Sequence, residues 1–281
     1  MRIAAVRSLI RVRLLFLLFV FMVFFFTVKT RISYSSTASD SVAADGHHRE
    51  EIAGEVCGVE RRQGGLKMQT GDTNPASPAE LSEMEKKFIA AGLVNIADVD
   101  DSLMVDLKYA SPQNFLGADV YGGMKACYLQ RDAALKLKNA NDLLKCHNPK
   151  LRILLADGCR PRSVQRRMWA IVEGTPMQRY VANPSAGSLH NYGVAVDVTI
   201  CDENGNRLDM GTPMDYFGAL SHPREEVRFL KEGKLTKQQV AARRLLRNVM
   251  QRAGFQGLEI EWWHFNACDK KTASRTYQVI D

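Results

Sequence analysis

The sequence predicts an α+β domain with a mainly antiparallel sheet and helices packed around it. Short apolar runs at 151–156, 195–200 and 258–265 read as strands. Segments at 131–145 and 236–254 carry apolar residues at helical spacing. Caps and breakers separate the two kinds of segment, and that interleaved order suits one α+β domain.

The first element is a helix signalled by Ser77-Pro78-Ala79-Glu80, with Ser as cap, Pro at the first helical position and Glu at the third. It runs to about residue 91 and stops at Gly92. Residues 93–107 alternate (Met104, Val105 and Leu107 around Asp106) and read as a strand. Residues 109–123 hold Pro112, Asn114, Gly117, Gly122 and Gly123 and read as a loop. The 131–145 helix places Ala134, Leu137, Ala140 and Leu144 on one side. The strand at 151–156 runs into the turn Asp157-Gly158-Cys159-Arg160-Pro161, then a helix to about 173. Arg160 projects from the sheet rim, where periodicity alone reads it as a surface ion pair. The strand at 195–200 gives Asp197 a fixed direction. The 236–254 helix has a basic outer face on which Arg243, Arg244, Arg247 and Arg252 read as solvated. In the last strand, 258–265, alternation puts Glu259, Glu261 and Trp263 on one face and His264 on the other. For Glu261 and His264 to serve one site, the strand must end or bulge near Trp262.

The 281 residues suffice for one sizeable core or two small domains. The net charge of +7 suggests a polyanion partner until its distribution is read. Arg2, Arg7, Arg11, Arg13, Lys29 and Arg31 supply +6, which leaves +1 by difference for the other 250 residues. No nucleic-acid surface is indicated. Residues 14–28 are apolar apart from Thr27 and follow four arginines, the pattern of a secretory leader. Lys29 and Arg31 keep a signal anchor open; the membrane is then met only through this segment. Residues 1–31 are thus a leader or anchor, 32–76 a polar tether holding His47 and His48, and 77–281 the functional domain. The remainder is expected to lie in the periplasm, free or anchored to the inner membrane. Six cysteines in an exported chain allow 15 full pairings, and Cys159–Cys201 is the expected bridge.

Two stretches carry the chemistry. Gly187 to Asp197 offers His190 and, seven residues on, Asp197. Glu259 to Phe265 offers Glu261 and His264. Two imidazoles and one carboxylate suit a metal with one position left open, as catalytic zinc requires. His190, Asp197 and His264 are therefore the candidate ligands and Glu261 the candidate general base. Arg160 is placed to polarise a carbonyl and steady an oxyanion. The HExxH pattern is absent.

Ser188-x-His190-x-x-Gly193-x-Ala195-x-Asp197 with Glu261-Trp262-Trp263-His264 resembles the D-alanyl-D-alanine dipeptidases of the vancomycin-resistance type, in zinc peptidase family M15. The likeness covers 93–268 and takes in Asp106 to Ala110 with Asn114-Phe115, Asp157-Gly158-x-Arg160-Pro161, Met210-Gly211 and Asp215. It implies a hedgehog and DD-peptidase-like fold. It also implies one zinc ion on His190, Asp197 and His264, with Glu261 as base and Arg160 as transition-state stabiliser. Asp215 and Tyr109 would hold a dipeptide's ammonium and Ser188 its carboxylate. The implied partner is a small D,D-dipeptide, and no obligate protein partner is inferred. Cys159 departs from the family, where an aromatic residue is usual. The exported N-terminus departs too, and favours turnover of wall-derived dipeptide. Two alternatives remain: a carboxypeptidase or endopeptidase on longer muropeptides, and a non-catalytic hedgehog-like zinc module. Asp215 argues against the first; Glu261 and Arg160 argue against the second.

Overall fold

Two strands that are buried on both faces form the centre of the sheet. β4 (Leu151–Asp157) and β5 (Ala195–Asp202) pair antiparallel, and nearly every residue along them is buried. The computed structural model describes residues 81–281. The leader, the tether, the Ser77-to-Glu80 start signal and Cys57 lie outside the described residues. β2 (Met104–Val105) joins β4 in parallel, β7 (His264–Asn266) joins β5 antiparallel, and β6 (Gln256–Gly257) edges β7. The order β2-β4-β5-β7-β6 is thus antiparallel except at one edge. β1 (Val94–Asn95) and β3 (Tyr128–Leu129) make a separate antiparallel pair.

Six α-helices accompany the sheets among the described residues: α1 (Glu83–Ala90), α2 (Arg131–His147), α3 (Arg162–Val172), α4 (Glu226–Lys231), α5 (Lys237–Arg252) and α6 (Lys270–Thr276). The fold is α+β, as the periodicity implies. α2 packs on β4 and on α5. Its Asn141 is fully buried and accepts a bond from Ile153 N–H at 3.0 Å, so a polar side chain ties helix to sheet. Leu137 and Leu144 of α2, with Ile153, Leu155, Val196 and Val198 of the sheet, lie in one core. Burial of each such side chain stabilises the fold by roughly 1.5–3 kcal/mol.

Several elements differ from their sequence expectation, each for a local reason. The first helix among the described residues starts at Glu83. Ser82 accepts from Glu85 N–H at 3.2 Å and the Glu85 carboxylate accepts from Ser82 N–H at 2.9 Å, a reciprocal capping box. The strand expected at 93–107 is two short strands. Between them the Asn95 carbonyl caps a 3-10 turn, and Asp100 takes the N–H and hydroxyl of Ser102. These side chains compete with ladder bonds. Of the strand expected over 258–265 only His264 and Phe265 are strand, in β7; β6 precedes the expected range, and the chain bends between them. No helix among the described residues is long and apolar enough to cross a membrane.

Two corrections concern buried groups. Arg243 is not solvated: it is 1% exposed, whereas Arg244 and Arg252 face water and Arg247 pairs with Glu226 at 2.9 Å. Nor is there a Cys159–Cys201 bridge; both thiols are free and buried. Cys201 sits opposite Arg152, while Asp157, just before Cys159, sits near Asp197 at the other end of β5. Four residues of strand separate those ends by about 13 Å, beyond the ~7 Å that a disulfide can span between Cα atoms.

Candidate active site

The register of the sheet assembles the site. A bulge between Leu155 and Asp157 sets Asp157 opposite Asp197, and Asp197 is opposite His264 across β5 and β7. Directly opposed residues share a face, so Asp197 and His264 project to the same side. His264 opens β7 because the chain before it is not strand, which also frees Glu261 from alternation. Glu261 therefore turns inward (8% exposed) while Glu259 faces solvent.

His190 comes from the 3-10 turn Leu189–Tyr192, capped by Ser188, whose hydroxyl accepts from His190 N–H at 3.3 Å. The turn is stitched to the end of β4: Arg160 N–H donates to the His190 carbonyl at 3.0 Å, and the Asn191 amide donates to the Arg160 carbonyl at 2.9 Å. On its other side Gly158 lets the Cys127–Leu129 segment pack against this corner, since a Cβ there would lie 2.4 Å from the Cys127 sulfur.

The imidazoles are held in defined tautomers. His190 Nδ1–H donates to the Gly158 carbonyl at 2.7 Å, so Nε2 carries the lone pair. His264 Nε2–H donates to Asn266 Oδ1 at 2.8 Å, so Nδ1 carries its lone pair. These two acceptor nitrogens stand 3.2 Å apart, and Asp197 Oδ1 lies 3.0 Å from the His264 nitrogen and 3.5 Å from that of His190. Two lone pairs and a carboxylate so close need a positive charge among them. The three ligand atoms all lie within 4.8 Å of one another, and their chemistry fits a divalent metal.

Around this trio lies a cavity of about 290 Å³. All eight residues singled out in the sequence line it: His190, Asp197, His264, Glu261, Arg160, Asp215, Tyr109 and Ser188. Burial raises Glu261 to about 8, against the pull of His264. Asp215 keeps some exposure through the cavity, but desolvation of its carboxyl, with Asp197 nearby, raises it to about 6. The Tyr109 hydroxyl, kept protonated by burial, donates to both Asp215 oxygens at 3.1 Å. Arg160 is buried, not a surface ion pair. Its Nε and Nη2 grip Asp157 at 2.8 and 2.5 Å, Nη2 reaches Asp197 at 3.3 Å, and Nη1 donates to Gln165 at 3.1 Å. Four of five guanidinium donors are thereby used among the described residues, and one N–H on Nη1 remains.

Sequence reasoning missed the partners of these groups. Asp157 fixes Arg160 and accepts from the Tyr121 hydroxyl at 2.7 Å. Gln165 and Asn266 orient Arg160 and His264. An aromatic wall runs along the cavity: Phe115 meets Phe217 edge-on at 5.1 Å, and Phe217 stacks on Tyr180 at 5.3 Å. The Tyr180 hydroxyl lies 2.9 Å from buried His222. The Tyr121–Asp157 bond and the aromatic contacts join segments far apart in the chain, which no spacing signals, whereas Asp157, Gln165 and Asn266 lie within five residues of the groups they orient.

The family model for D-Ala-D-Ala dipeptidases matches residues 89–281. The chain belongs to peptidase family M15. Among M15 relatives, the D-alanyl-D-alanine dipeptidase of Escherichia coli K12 is 32% identical over 173 residues, 62% of this chain and 83% of the relative. That of Synechocystis is 30% identical, over 57% of this chain and 76% of the relative. That of Enterococcus faecalis is 28% identical, over 59% and 86%. The mixed α+β architecture agrees with the DD-peptidase-like fold of the family.

Proposed function

We propose that this chain hydrolyses D-alanyl-D-alanine to two D-alanines as a zinc-dependent dipeptidase. The observation that carries the reading is the meeting of two imidazole lone pairs and Asp197 beside buried Glu261, in a cavity with Asp215 on its wall. A zinc ion held by His190 Nε2, His264 Nδ1 and Asp197 would polarise the scissile carbonyl and acidify a water. Asp215, steadied by the Tyr109 hydroxyl, pairs with the substrate ammonium. Ser188 donates its hydroxyl to the substrate carboxylate. Glu261 takes the proton of the attacking water and returns it to the leaving amine. The remaining N–H of Arg160 Nη1 steadies the oxyanion.

A cavity of about 290 Å³ is at the small end for ligand sites, and with an acid assigned to a free amine it favours a dipeptide over longer muropeptides. The basic, apolar N-terminus supports export to the periplasm, where the substrate is dipeptide from cell-wall turnover.

Purified protein given D-Ala-D-Ala should release free D-alanine, lose that activity to a chelator, and regain it with zinc. Release undiminished by chelation would remove the metal from the reaction. No release at all would remove the dipeptidase reading.

The acid side of the pH profile tests Asp215. Its carboxyl is raised to about 6, so as pH falls through that value it becomes neutral and stops pairing with ammonium. The value of kcat/KM for D-Ala-D-Ala should fall below about pH 6, and Asp215→Asn should remove that limb. A limb unchanged in Asp215→Asn would assign it to another group.

A further inference from the structure

Arg243 is a buried cation that the reaction above does not use. No carboxylate pairs with it among the described residues, since Glu226 is taken by both ends of the Arg247 guanidinium at 3.2 and 2.9 Å. An unpaired buried charge is costly, and an apolar residue would fill the same space with less penalty. What only a guanidinium offers is a rigid fork of donors.

The fork spans a loop. Arg243 Nε donates to the Met210 carbonyl at 2.6 Å, Nη1 to the Leu220 carbonyl at 3.0 Å, and Nη2 to the Thr212 hydroxyl at 3.4 Å. Asp215 lies between these anchors and has φ of 61°, the one left-handed non-glycine residue described. A strained backbone of that kind persists only where its surroundings hold it. The same Thr212 oxygen accepts from Trp262 Nε1 at 2.8 Å, and the guanidinium sits 5.8 Å over the Trp262 ring. Trp262 directly follows Glu261. The hydroxyl of buried Ser221, at the far end of the loop, donates to the Gly218 carbonyl at 2.7 Å and lies 3.3 Å from the Ile260 carbonyl, just before Glu261. At the near end Gly211, with φ of 79°, packs so close to the start of α5 that a Cβ would lie 2.4 Å from Leu235, two residues before the helix, and 3.1 Å from Gln239 within it.

We propose that Arg243 is a positioning residue that clamps both ends of the Met210-to-Leu220 loop, holding Asp215 in register with Glu261 through Thr212 and Trp262. The proposal rests on Asp215 being the partner of the substrate amine. Burial lowers Arg243 to about 10, so the clamp is charged at neutral pH.

The test is a double-mutant cycle on D-Ala-D-Ala hydrolysis. Arg243→Met and Arg243→Lys should each lower kcat/KM about 10- to 100-fold, mainly through KM, with metal content unchanged. Lysine should not rescue, since one ammonium cannot reach three acceptors. In Asp215→Asn the further change Arg243→Met should cost little, because both act on one contact. Losses that multiply independently, or a folded Arg243→Met with wild-type kcat/KM, overturn the proposal. Should Arg243→Met fail to fold, Thr212→Val decides. It removes only the shared hydroxyl, should raise KM severalfold, and should likewise be silent in Asp215→Asn; a wild-type KM overturns the proposal. Wild-type protein that leaves D-Ala-D-Ala intact overturns the functional reading and this inference with it, whereas normal wild-type turnover with independent losses overturns the inference alone.

Discussion

Glu261→Gln is expected to lower kcat on D-Ala-D-Ala by on the order of 10³ or more while the protein stays folded and keeps its metal. The amide matches the carboxylate in shape and cannot take a proton, so the loss isolates proton transfer from packing. Glu261 is not among the three clustered ligand atoms, which is why metal content should hold. Stability gives an independent readout. In the metal-free protein the folded-state carboxyl is raised to about 8, above its ordinary value of 4.5. A raised carboxyl means that ionisation destabilises the fold, a cost that grows as pH rises from about 4.5 to about 8. Metal-free Glu261→Gln should therefore melt no lower than metal-free wild type at pH 8, and its advantage should vanish near pH 4. Turnover within tenfold of wild type would end the assignment of Glu261 as base. A loss of turnover accompanied by loss of metal would move it to the ligand shell.

Site residues were legible where chemistry and local order coincide. Asp197 lies on strand β5, every residue of which from Ala195 to Ile200 is buried, and His190 lies in the capped turn just before it. Glu261 and His264 required a break in alternation, and the chain supplies it between Gly257 and His264. What stayed hidden depends on long-range contacts. Arg243 sits on an amphipathic helix beside Arg244 and Arg247, and nothing nearby distinguishes it. Its partners are carbonyls of a loop more than twenty residues upstream. Asp157 reads as an ordinary turn residue until the bulge in β4 brings it to Asp197. The split of the 93–107 strand was legible in principle, since Asn95 and Asp100 are both residues whose side chains cap local turns. The cysteine pairing failed for a geometric reason: adjacency of two strands does not fix which ends of them meet.

Asp197→Asn should abolish metal binding and activity together while leaving the fold intact, and it separates a metal centre from a structural hydrogen-bond cluster. Among the described residues Asp197 supplies the only negative charge in direct contact with both acceptor nitrogens, at 3.0 and 3.5 Å. Replacing it with a neutral amide removes the charge that pulls a cation in. The new N–H can donate to His190 Nε2 or His264 Nδ1, so the lone pairs are satisfied and the core of the sheet has no reason to open. Arg160 keeps Asp157, which is nearer, and can still donate to the amide oxygen that takes the place of Asp197 Oδ2. Binding of divalent ions should weaken by at least about 10³-fold, since a charged ligand among three is lost. Hydrolysis should fall to background, and added zinc up to millimolar should not restore it. The wild-type melting temperature should rise with added zinc, as any ligand of the folded state requires; that of Asp197→Asn should not. If Asp197→Asn still takes up one ion per chain and turns over, then the trio at the end of β5 is a packing device and the reacting centre lies elsewhere in the cavity.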